Sequence, residues 1–364
     1  MGVGSKARKM KKAYIGIGGK ARKVKKMYIG VGGKARLCYS AELERYGMAA
    51  ALSTARYDMR AATVGKYALF AGGYISKSSF GYSVSSSVDA YNTSLTKSTP
   101  TELSCKRCGH AAASVGGYAL FAGGASSHNF LGYGNIVSSV DAYDASLTRS
   151  AAHIIGATVA IGGAAVGNYA LFAGGTVYSQ INEDNVTSDV LAYDPSLTFT
   201  TAPWLSVARA NVKGASAGNY ALFAGGRADG FCTTVDAYNA SLTRTTATAL
   251  SSTKNNSAAA TVGNHAIFVG NTASADIYDA SLTKTSAAIL STARMCLAAT
   301  TVGDYAIFSG GGVADFCDAS LTRSSIGTSM TGYYMGAATI GDYALFAGGH
   351  SGNTIYDSVE VYTA

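Results

Sequence analysis

The chain of 364 residues lacks several features, and their absence excludes whole classes of protein. Only 14% of the residues are charged, and there are three Pro and one Trp. No apolar run is long enough to span a bilayer, and the basic N-terminus lacks the apolar stretch of a signal peptide. Lys6 stands where an N-myristoylation signal requires Ser or Thr. We therefore expect no membrane span, no signal peptide and no lipid anchor.

Residues that carry catalysis or bind cofactors form no constellation in the sequence. The five His are scattered, and neither a Ser/His/Asp pattern nor the Asp boxes of sialidases are present. The stretch "CKRCGH" at 105–110 has Gly109 where haem attachment requires His, and no second Cys pair follows at a zinc-site spacing. We predict a protein that is not an enzyme and has no cofactor, with Cys105 and Cys108 as free thiols. A zinc site to which His110 contributes is the alternative.

One nine-residue pattern occurs seven times and indicates the fold. It reads "GNYALFAGG" at residues 167–175. The other copies begin at Gly65, Gly116, Gly218, Gly263, Gly303 and Gly341. Successive copies lie 51, 51, 51, 45, 40 and 38 residues apart. Periods of about 40 to 50 residues with strand-like patterns are typical of β-propeller blades.

Each repeat unit contains four strand-like segments. An Ala-rich run such as "AATVG" comes first, and we expect it innermost because only small side chains fit near the axis. "YALFAGG" is the second strand, apolar on both faces because neighbouring sheets cover it. "VDAYN" is the third strand, and a Thr-rich run such as "RTTATALS" is the outermost. The prediction is an all-β protein with seven four-stranded blades over residues 46–364.

A strand that ends in Gly-Gly, a variable loop and a strand such as "VDAYD" together resemble the kelch-repeat β-propellers. The resemblance covers residues 46–364 and implies a seven-bladed kelch-like β-propeller. It departs from the family at the kelch Trp, whose place a Thr/Ser run takes, while Trp204 occurs in a single blade.

The first and last repeat units predict how the ring closes. The last unit stops after its third strand at "VEVYTA", and "AALSTAR" from Ala50 matches "AILSTAR" from Ala288, which joins two internal blades. We predict that residues 48–53 complete the last blade, because closure removes an open sheet edge.

Residues 1–45 form a basic arm with a repeat of its own. They contain 13 Lys or Arg against two Glu, whereas the rest of the chain holds 16 basic and 19 acidic residues. Three units at a 14-residue step include Gly-Gly pairs at residues 18–19 and 32–33, which predict short β-hairpins. The expected anchor residues are Lys11, Lys12, Tyr14, Lys25, Lys26 and Tyr28. A solvated tail and a nucleic-acid-binding arm are the alternatives to a docking element.

The sequence "YIGVGGKAR" in the arm resembles N-terminal segments of structural proteins from phages and prophages. That resemblance implies a virion or tail component, made in the bacterial cytoplasm, whose arm binds other virion proteins. Its propeller would then face a host cell-surface protein or glycan. A propeller enzyme acting on surface glycans and an intracellular kelch-type adaptor are the other hypotheses, because fold alone does not decide function.

The connections after the Gly pairs predict a binding surface. Those at residues 74–87, 125–139 and 176–189 are long and should project from one face as a half-crown. Their candidate binding residues are Tyr74, Phe80, Tyr82, His128, Phe130, Tyr133, Tyr178 and Asn182. The alternative is that these side chains pack on one another.

Two charged positions recur in the repeat. A basic residue occupies one position in the connections before five of the seven blades, as Arg56, Arg107, Arg209, Lys254 and Arg294, while the other two have Thr158 and Gly332. We expect it to bond carbonyl groups of the adjacent blade, and an anion site over the channel is the alternative. Asp89, Asp141 and Asp236 share another position and are interpreted as turn or strand-pairing groups.

Overall fold

The computed structural model is built from β-strands. It describes residues 2–3, 6–7, 13–17, 20–24, 26–31, 34–40, 42–78, 81–129, 132–153, 156, 158–177, 185–254 and 257–364. These residues form eight four-stranded antiparallel sheets and several short hairpins. Within these ranges, no helix has the length and apolar character needed to cross a membrane.

Seven of the eight sheets share one plan and resemble propeller blades, numbered blade 1 to blade 7 along the chain. In each, the strands lie side by side in the order first, second, third, fourth. Blades 1 to 3 contain Arg60–Val64, Tyr67–Ala71, Val88–Asn92 and Lys97–Ser98; Ala111–Val115, Tyr118–Ala122, Val140–Tyr143 and Arg149–Ala152; Gly162–Val166, Tyr169–Ala173, Val190–Tyr193 and Phe199–Ala202. Blades 4 to 6 contain Lys213–Ala217, Tyr220–Ala224, Val235–Asn239 and Arg244–Ala247; Ala258–Val262, His265–Gly270, Thr272–Tyr278 and Lys284–Ala288; Ala298–Val302, Tyr305–Gly310, Val313–Asp318 and Arg323–Gly327. Blade 7 contains Gly336–Ile340, Tyr343–Ala347, Val359–Thr363 and, as its fourth strand, Glu44–Ala49. The predicted four strands per unit and their order are confirmed.

The first strands surround a central channel. Those of consecutive blades are neighbours, and the first strand of blade 7 lies beside that of blade 1, so the seven blades close a ring. Their small side chains line the channel, as Ala61, Ala113 and Ala164 do. Hydroxyl groups join neighbouring first strands: Ser114 Oγ donates to the Thr63 carbonyl at 2.7 Å, for example.

The second strands carry the core between blades. In "YALFA" of blade 1, residues 68–71 are fully buried, because alternate side chains pack against the two neighbouring blades. Leu69 of blade 1 shares one hydrophobic cluster with Phe121 of blade 2. The Gly pair that follows is required by close approach: a Cβ on Gly72, whose φ is +65°, would lie 2.6 Å from the Arg107 carbonyl oxygen of the next connection.

A buried ion pair ties the connection to the blade that follows it in five of the seven blades. Arg56 Nη2 lies 2.6 Å from Asp89 Oδ2, and both side chains are fully buried. Asp89 also accepts the backbone N–H of Ser53, and Arg56 donates to the Phe70 carbonyl. The equivalent pairs are Arg107–Asp141, Arg209–Asp236, Lys254–Asp276 and Arg294–Asp315.

These pairs correct one expectation from the sequence and confirm another. The recurrent Asp is the buried counter-ion of the recurrent cation, not a turn or strand-pairing group. The recurrent cation does bond carbonyls of an adjacent blade, and for Arg56 and Arg209 this is the blade that their connection enters. The recurrent cations form these ion pairs inside the blades, so they do not form an anion site over the channel.

Each recurrent Asp also faces a second cation, at the start of the fourth strand. Arg149 Nη1 lies 2.9 Å from Asp141 Oδ1, and Arg244 takes the same place in blade 4. Blade 3 lacks all three charges together and carries Thr158, Leu191 and Phe199 instead. Removing all members at once leaves no buried charge without a partner.

Blade 7 is completed by the strand Glu44–Ala49. It pairs antiparallel with Val359–Thr363, with Met48 opposite Glu360. The predicted closing segment was 48–53, but the strand begins at Glu44 and ends at Ala49. Leu52 already lies in the connection to blade 1, where its backbone N–H donates to the Asp357 carbonyl. The reason is charge: Arg45 occupies the second-cation position and forms an ion pair with buried Glu360.

The arm contains antiparallel hairpins at the predicted places. Tyr14–Ile17 pairs with Lys20–Lys23, and Lys26–Val31 pairs with Lys34–Ser40. A shorter pair joins Gly2–Val3 and Lys6–Ala7. The two Gly-Gly turns lie outside the described residues.

The buried ion pair predicts a test of its own. Asp236→Ala should lower the free energy of unfolding by about 3–5 kcal/mol, because Arg209 would remain buried without its carboxylate. The triple variant Arg209→Thr, Asp236→Leu, Arg244→Phe copies the residues of blade 3 and should lose clearly less. Urea denaturation measures both, and a triple variant no more stable than the single one would contradict the explanation.

Ring closure predicts different outcomes for two truncations. Removing residues 1–49 deletes the fourth strand of blade 7 and exposes the edge of Val359–Thr363, so the melting temperature should fall and the protein should aggregate. Removing residues 1–41 keeps that strand and buried Leu43, and should leave the melting temperature within a few degrees. Equal melting temperatures for the two truncations would refute closure by this strand.

Candidate functional site

The eighth sheet stands beside the channel mouth, and we call it the crown sheet. The long connection of blade 1 forms the hairpin Tyr74–Ser78 and Gly81–Val84, and that of blade 2 forms Ala125–Asn129 and Gly132–Ile136. Tyr82 pairs with His128 and joins the two hairpins into one sheet. The long connections of the first two blades are therefore one structural unit.

A ring of connection residues forms the channel mouth, and we call it the mouth ring. One repeat position just before each first strand adopts positive φ in six described connections: Asp58, Gly109, Ala160, Asn211, Cys296 and Tyr334. Backbone bonds join neighbours, as in Asp58 N to Tyr334 O at 2.7 Å and Asn211 N to Ala160 O at 2.7 Å. The backbone is constant while the side chains differ, a pattern typical of binding surfaces on repeated scaffolds.

A cavity of about 440 Å³ lies between the crown sheet and the mouth ring. Its aromatic lining consists of Tyr57, Tyr74, Tyr82, His128, Tyr133, Tyr334 and His350. Its charged lining consists of Asp58, Arg60, Lys77 and Lys213. This volume falls within the range of about 300–1,000 Å³ that is usual for small-molecule sites.

The aromatic rings form one continuous wall, which we call the aromatic wall. His128 stacks between Tyr82 and Tyr133, with centroid distances of 4.7 and 4.6 Å. Tyr74 O–H lies 2.7 Å from His128 Nδ1. The row continues from Tyr74 to Tyr57, with ring centroids 5.0 Å apart.

The row ends on blade 7, where His350 meets rings from two connections. Its ring centroid lies 4.4 Å from that of Tyr57 and 5.7 Å from that of Tyr334. Tyr57 is held in the row because it bridges Tyr74 through two backbone hydrogen bonds. The wall therefore spans blades 1, 2 and 7.

Burial sets the protonation of the wall. It raises the pKa of Tyr74, Tyr133 and Tyr334, so their hydroxyls stay protonated at neutral pH. Burial also lowers the pKa of His128, while the carboxylate of Asp58 opposes that change. At neutral pH these four side chains are uncharged and offer hydroxyl and imidazole groups for hydrogen bonds.

The structure brings four of the eight predicted binding residues together: Tyr74, Tyr82, His128 and Tyr133. They pack on one another, as the alternative interpretation held, and they also line the cavity. The other four, Phe80, Phe130, Tyr178 and Asn182, lie outside the described residues. Of the predicted anchor residues, Tyr14, Lys26 and Tyr28 lie in hairpin strands, and Lys11, Lys12 and Lys25 lie outside the described residues.

Sequence reasoning missed the cavity residues that come from the connections and the first strands. Tyr57 and Tyr334 follow the recurrent cation position by one and two residues, where the repeat units share no residue type. Arg60 and Lys213 stand where other blades have Ala or Gly, and that contrast was visible in an alignment of the repeats.

The two cysteines of the pair have different surroundings, and Cys108 packs in one buried cluster with Tyr57 and Tyr74 of the aromatic wall. Cys108 is buried, and its Sγ lies 3.4 Å from the Ala125 carbonyl oxygen. Cys105 contacts Arg107 instead. No group of three or more His, Cys, Asp or Glu suited to a metal ion occurs in the described part of the chain.

No protein-family model matches the sequence, and no curated protein matches it either. The function must therefore be argued from the cavity itself. Aromatic faces can stack on a flat or ring-shaped ligand, and the hydroxyls, imidazoles and cations around them can bind its polar groups.

The bond between Tyr74 and His128 generates a prediction. In the His128 tautomer that is protonated on Nε2, the Tyr74 hydroxyl is the donor to Nδ1. Tyr74→Phe removes that donor, so the pKa of His128 should rise towards its ordinary value of about 6.5. NMR titration of the His128 ring measures this change. Tyr356→Phe removes a hydroxyl that bonds Thr331, not His128, and serves as the control. A His128 pKa that stays the same or falls in Tyr74→Phe would contradict the assigned donor.

Proposed function

We propose that this chain is a non-enzymatic binding protein, a seven-bladed kelch-like β-propeller that holds part of a glycan in the cavity beneath the crown sheet. The observation that carries the proposal is the aromatic wall around a cavity of about 440 Å³. Sugar rings present C–H groups on their faces and hydroxyls on their edges. Aromatic faces beside hydrogen-bonding groups match both features.

The shape of the cavity favours a glycan over a protein surface. A stable protein interface buries about 800 Å² on each partner and is not confined to a cavity of small-molecule size. Tyr82, Tyr133 and His350 are only partly buried, so part of each side chain is accessible to a ligand. A terminal sugar unit fits these constraints.

The pairing of charges supports binding without catalysis. Asp58 is the one carboxylate in the described cavity lining, and its Oδ1 lies 2.7 Å from Arg60 Nη1. This single carboxylate is engaged as a counter-ion, whereas glycoside hydrolysis usually employs a pair of carboxyl groups.

The basic arm completes the proposal. Its hairpins place Lys and Arg on short strands, and its sequence resembles the arms of phage structural proteins. We assign it the role of attaching the propeller to other proteins of a phage virion or tail. The cavity would then face the host surface, with a host glycan as its ligand.

A glycan array tests the binding function. The protein should bind a subset of surface glycans, and Tyr82→Ala and Tyr133→Ala should each weaken binding roughly three- to tenfold, because each removes one stacking face. Trp204→Ala removes an aromatic side chain that is 68% exposed and lies outside the cavity lining, and should leave binding unchanged.

The truncated chain that lacks residues 1–41 gives a second control. It retains the ring and the cavity, so it should bind the same glycans as the full chain. Binding that survives both wall substitutions, or that disappears with the arm, would refute the proposal. Melting curves of each variant separate lost binding from lost folding.

A further inference from the structure

Two long cationic side chains, on blades 1 and 4, indicate a subsite inside the channel. The first residue of the first strand is small in five blades: Ala111, Gly162, Ala258, Ala298 and Gly336. The same position carries Arg60 in blade 1 and Lys213 in blade 4. Because seven blades form the ring, blades 1 and 4 lie on opposite sides of the channel.

Arg60 and Lys213 line both the cavity and the neck of the channel below it. The neck has a volume of about 210 Å³, and the remaining described residues around it are uncharged. The cavity and the neck are therefore joined through these two side chains. A ligand stacked on the aromatic wall can extend a substituent towards them.

Lys213 lacks a counter-ion in the part of the chain that the structure describes. Lys254, by contrast, lies 3.3 Å from its carboxylate, Asp276. Arg60 is also engaged, because Nη1 faces Asp58 and Nε donates to the His110 carbonyl at 2.9 Å. The two cations with one carboxylate leave positive charge in a confined, partly desolvated space.

The pKa of Lys213 agrees with this picture. Burial is the largest cause that lowers it, to about 8, and the charge of Arg60 lowers it further, while Asp58 and Cys296 oppose the change. An anion bound beside Lys213 would offset both effects and raise the pKa. The remaining titratable groups of the described cavity lining are Lys77, His128, His350 and the wall tyrosines.

We infer that the channel neck is an anion subsite in which Lys213 and Arg60 receive the carboxylate of an acidic sugar stacked on the aromatic wall. The inference rests on the proposed glycan-binding function and names the class of sugar. Arg60 supplies a planar guanidinium with Nη2 still unbonded among the described residues, and Lys213 supplies a point charge from the opposite side. An acidic sugar joins a stacking ring to a single carboxylate, which is the combination that the aromatic wall and the channel neck would receive together.

Glucuronate and glucose are the matched probes, because they differ by the carboxylate alone. At pH 6.5 the full chain should bind glucuronate at least about tenfold more tightly than glucose, measured by NMR titration of the wall resonances. Glucuronate should also raise the pKa of Lys213 above its value near 8 in the free protein. Above pH 8 the advantage of glucuronate should decline, because Lys213 loses its charge.

Substitutions at Lys213 distinguish carboxylate binding in the subsite from stacking on the aromatic wall. Lys213→Met should abolish the preference for glucuronate by lowering its affinity to about that of glucose, and Lys213→Arg should keep the preference and shift its decline to higher pH. Lys66→Met removes an exposed lysine outside the cavity and the neck and should have no effect.

The outcomes distinguish this inference from the proposed function. Glycan binding that is lost in Tyr82→Ala but unchanged in Lys213→Met would overturn the subsite and keep the function. Sulfate that matches glucuronate in affinity and in its effect on Lys213 would overturn the sugar carboxylate as the ligand. A Lys213 signal that responds to none of the probes would overturn the subsite outright, and array binding insensitive to the wall would overturn the function.

Discussion

The buried ion pair between a connection cation and a third-strand Asp supports the rest of the structure. Arg56 and Asp89 are fully buried, so their charges depend on each other, on nearby backbone groups and, for Asp89, on Ser53 and Lys97. The pair fixes the connection two residues before Asp58 of the mouth ring and four residues before Arg60. The cavity is therefore positioned by residues that no ligand touches. A shift of one ion pair would move the mouth ring and the first strand together.

Blade 3 shows why such an arrangement changes as a set. Its positions for the two cations and the Asp hold Phe199, Thr158 and Leu191, and Phe199 stacks on His153 with ring centroids 4.2 Å apart. A buried charge without its partner costs several kcal/mol, whereas an apolar replacement of the whole set costs little. In blade 7 the buried Glu360 is instead paired with Arg45, and the two residues come from opposite ends of the chain. The repeat tolerates variation in chemistry but not an unpaired buried charge.

The site is asymmetric although the scaffold repeats. The crown sheet belongs to blades 1 and 2, the last ring of the aromatic wall to blade 7, and the channel cations to blades 1 and 4. All of them lie at one end of the ring because each first strand begins where its second strand ends, as the pairing of Arg60 with Ala71 shows. Side chains that differ between units on a constant backbone give one ligand-shaped cavity, not seven equivalent ones.

The sequence by itself determined the strand order within each unit, the four-stranded sheets and the common face of the long connections. These follow from local rules: Gly-Gly ends a strand, alternation of side chains assigns its faces, and equal repeat positions occupy equal places. It also gave Tyr74, Tyr82, His128 and Tyr133 as candidate binding residues, because they lie on the long connections, and the structure places these four around the cavity. Only the tertiary structure decided that Asp89 pairs with Arg56, that Glu44 begins the closing strand, and that Lys213 faces Arg60. Those contacts join distant residues across a closed ring, and no local pattern encodes which side chains meet at its axis.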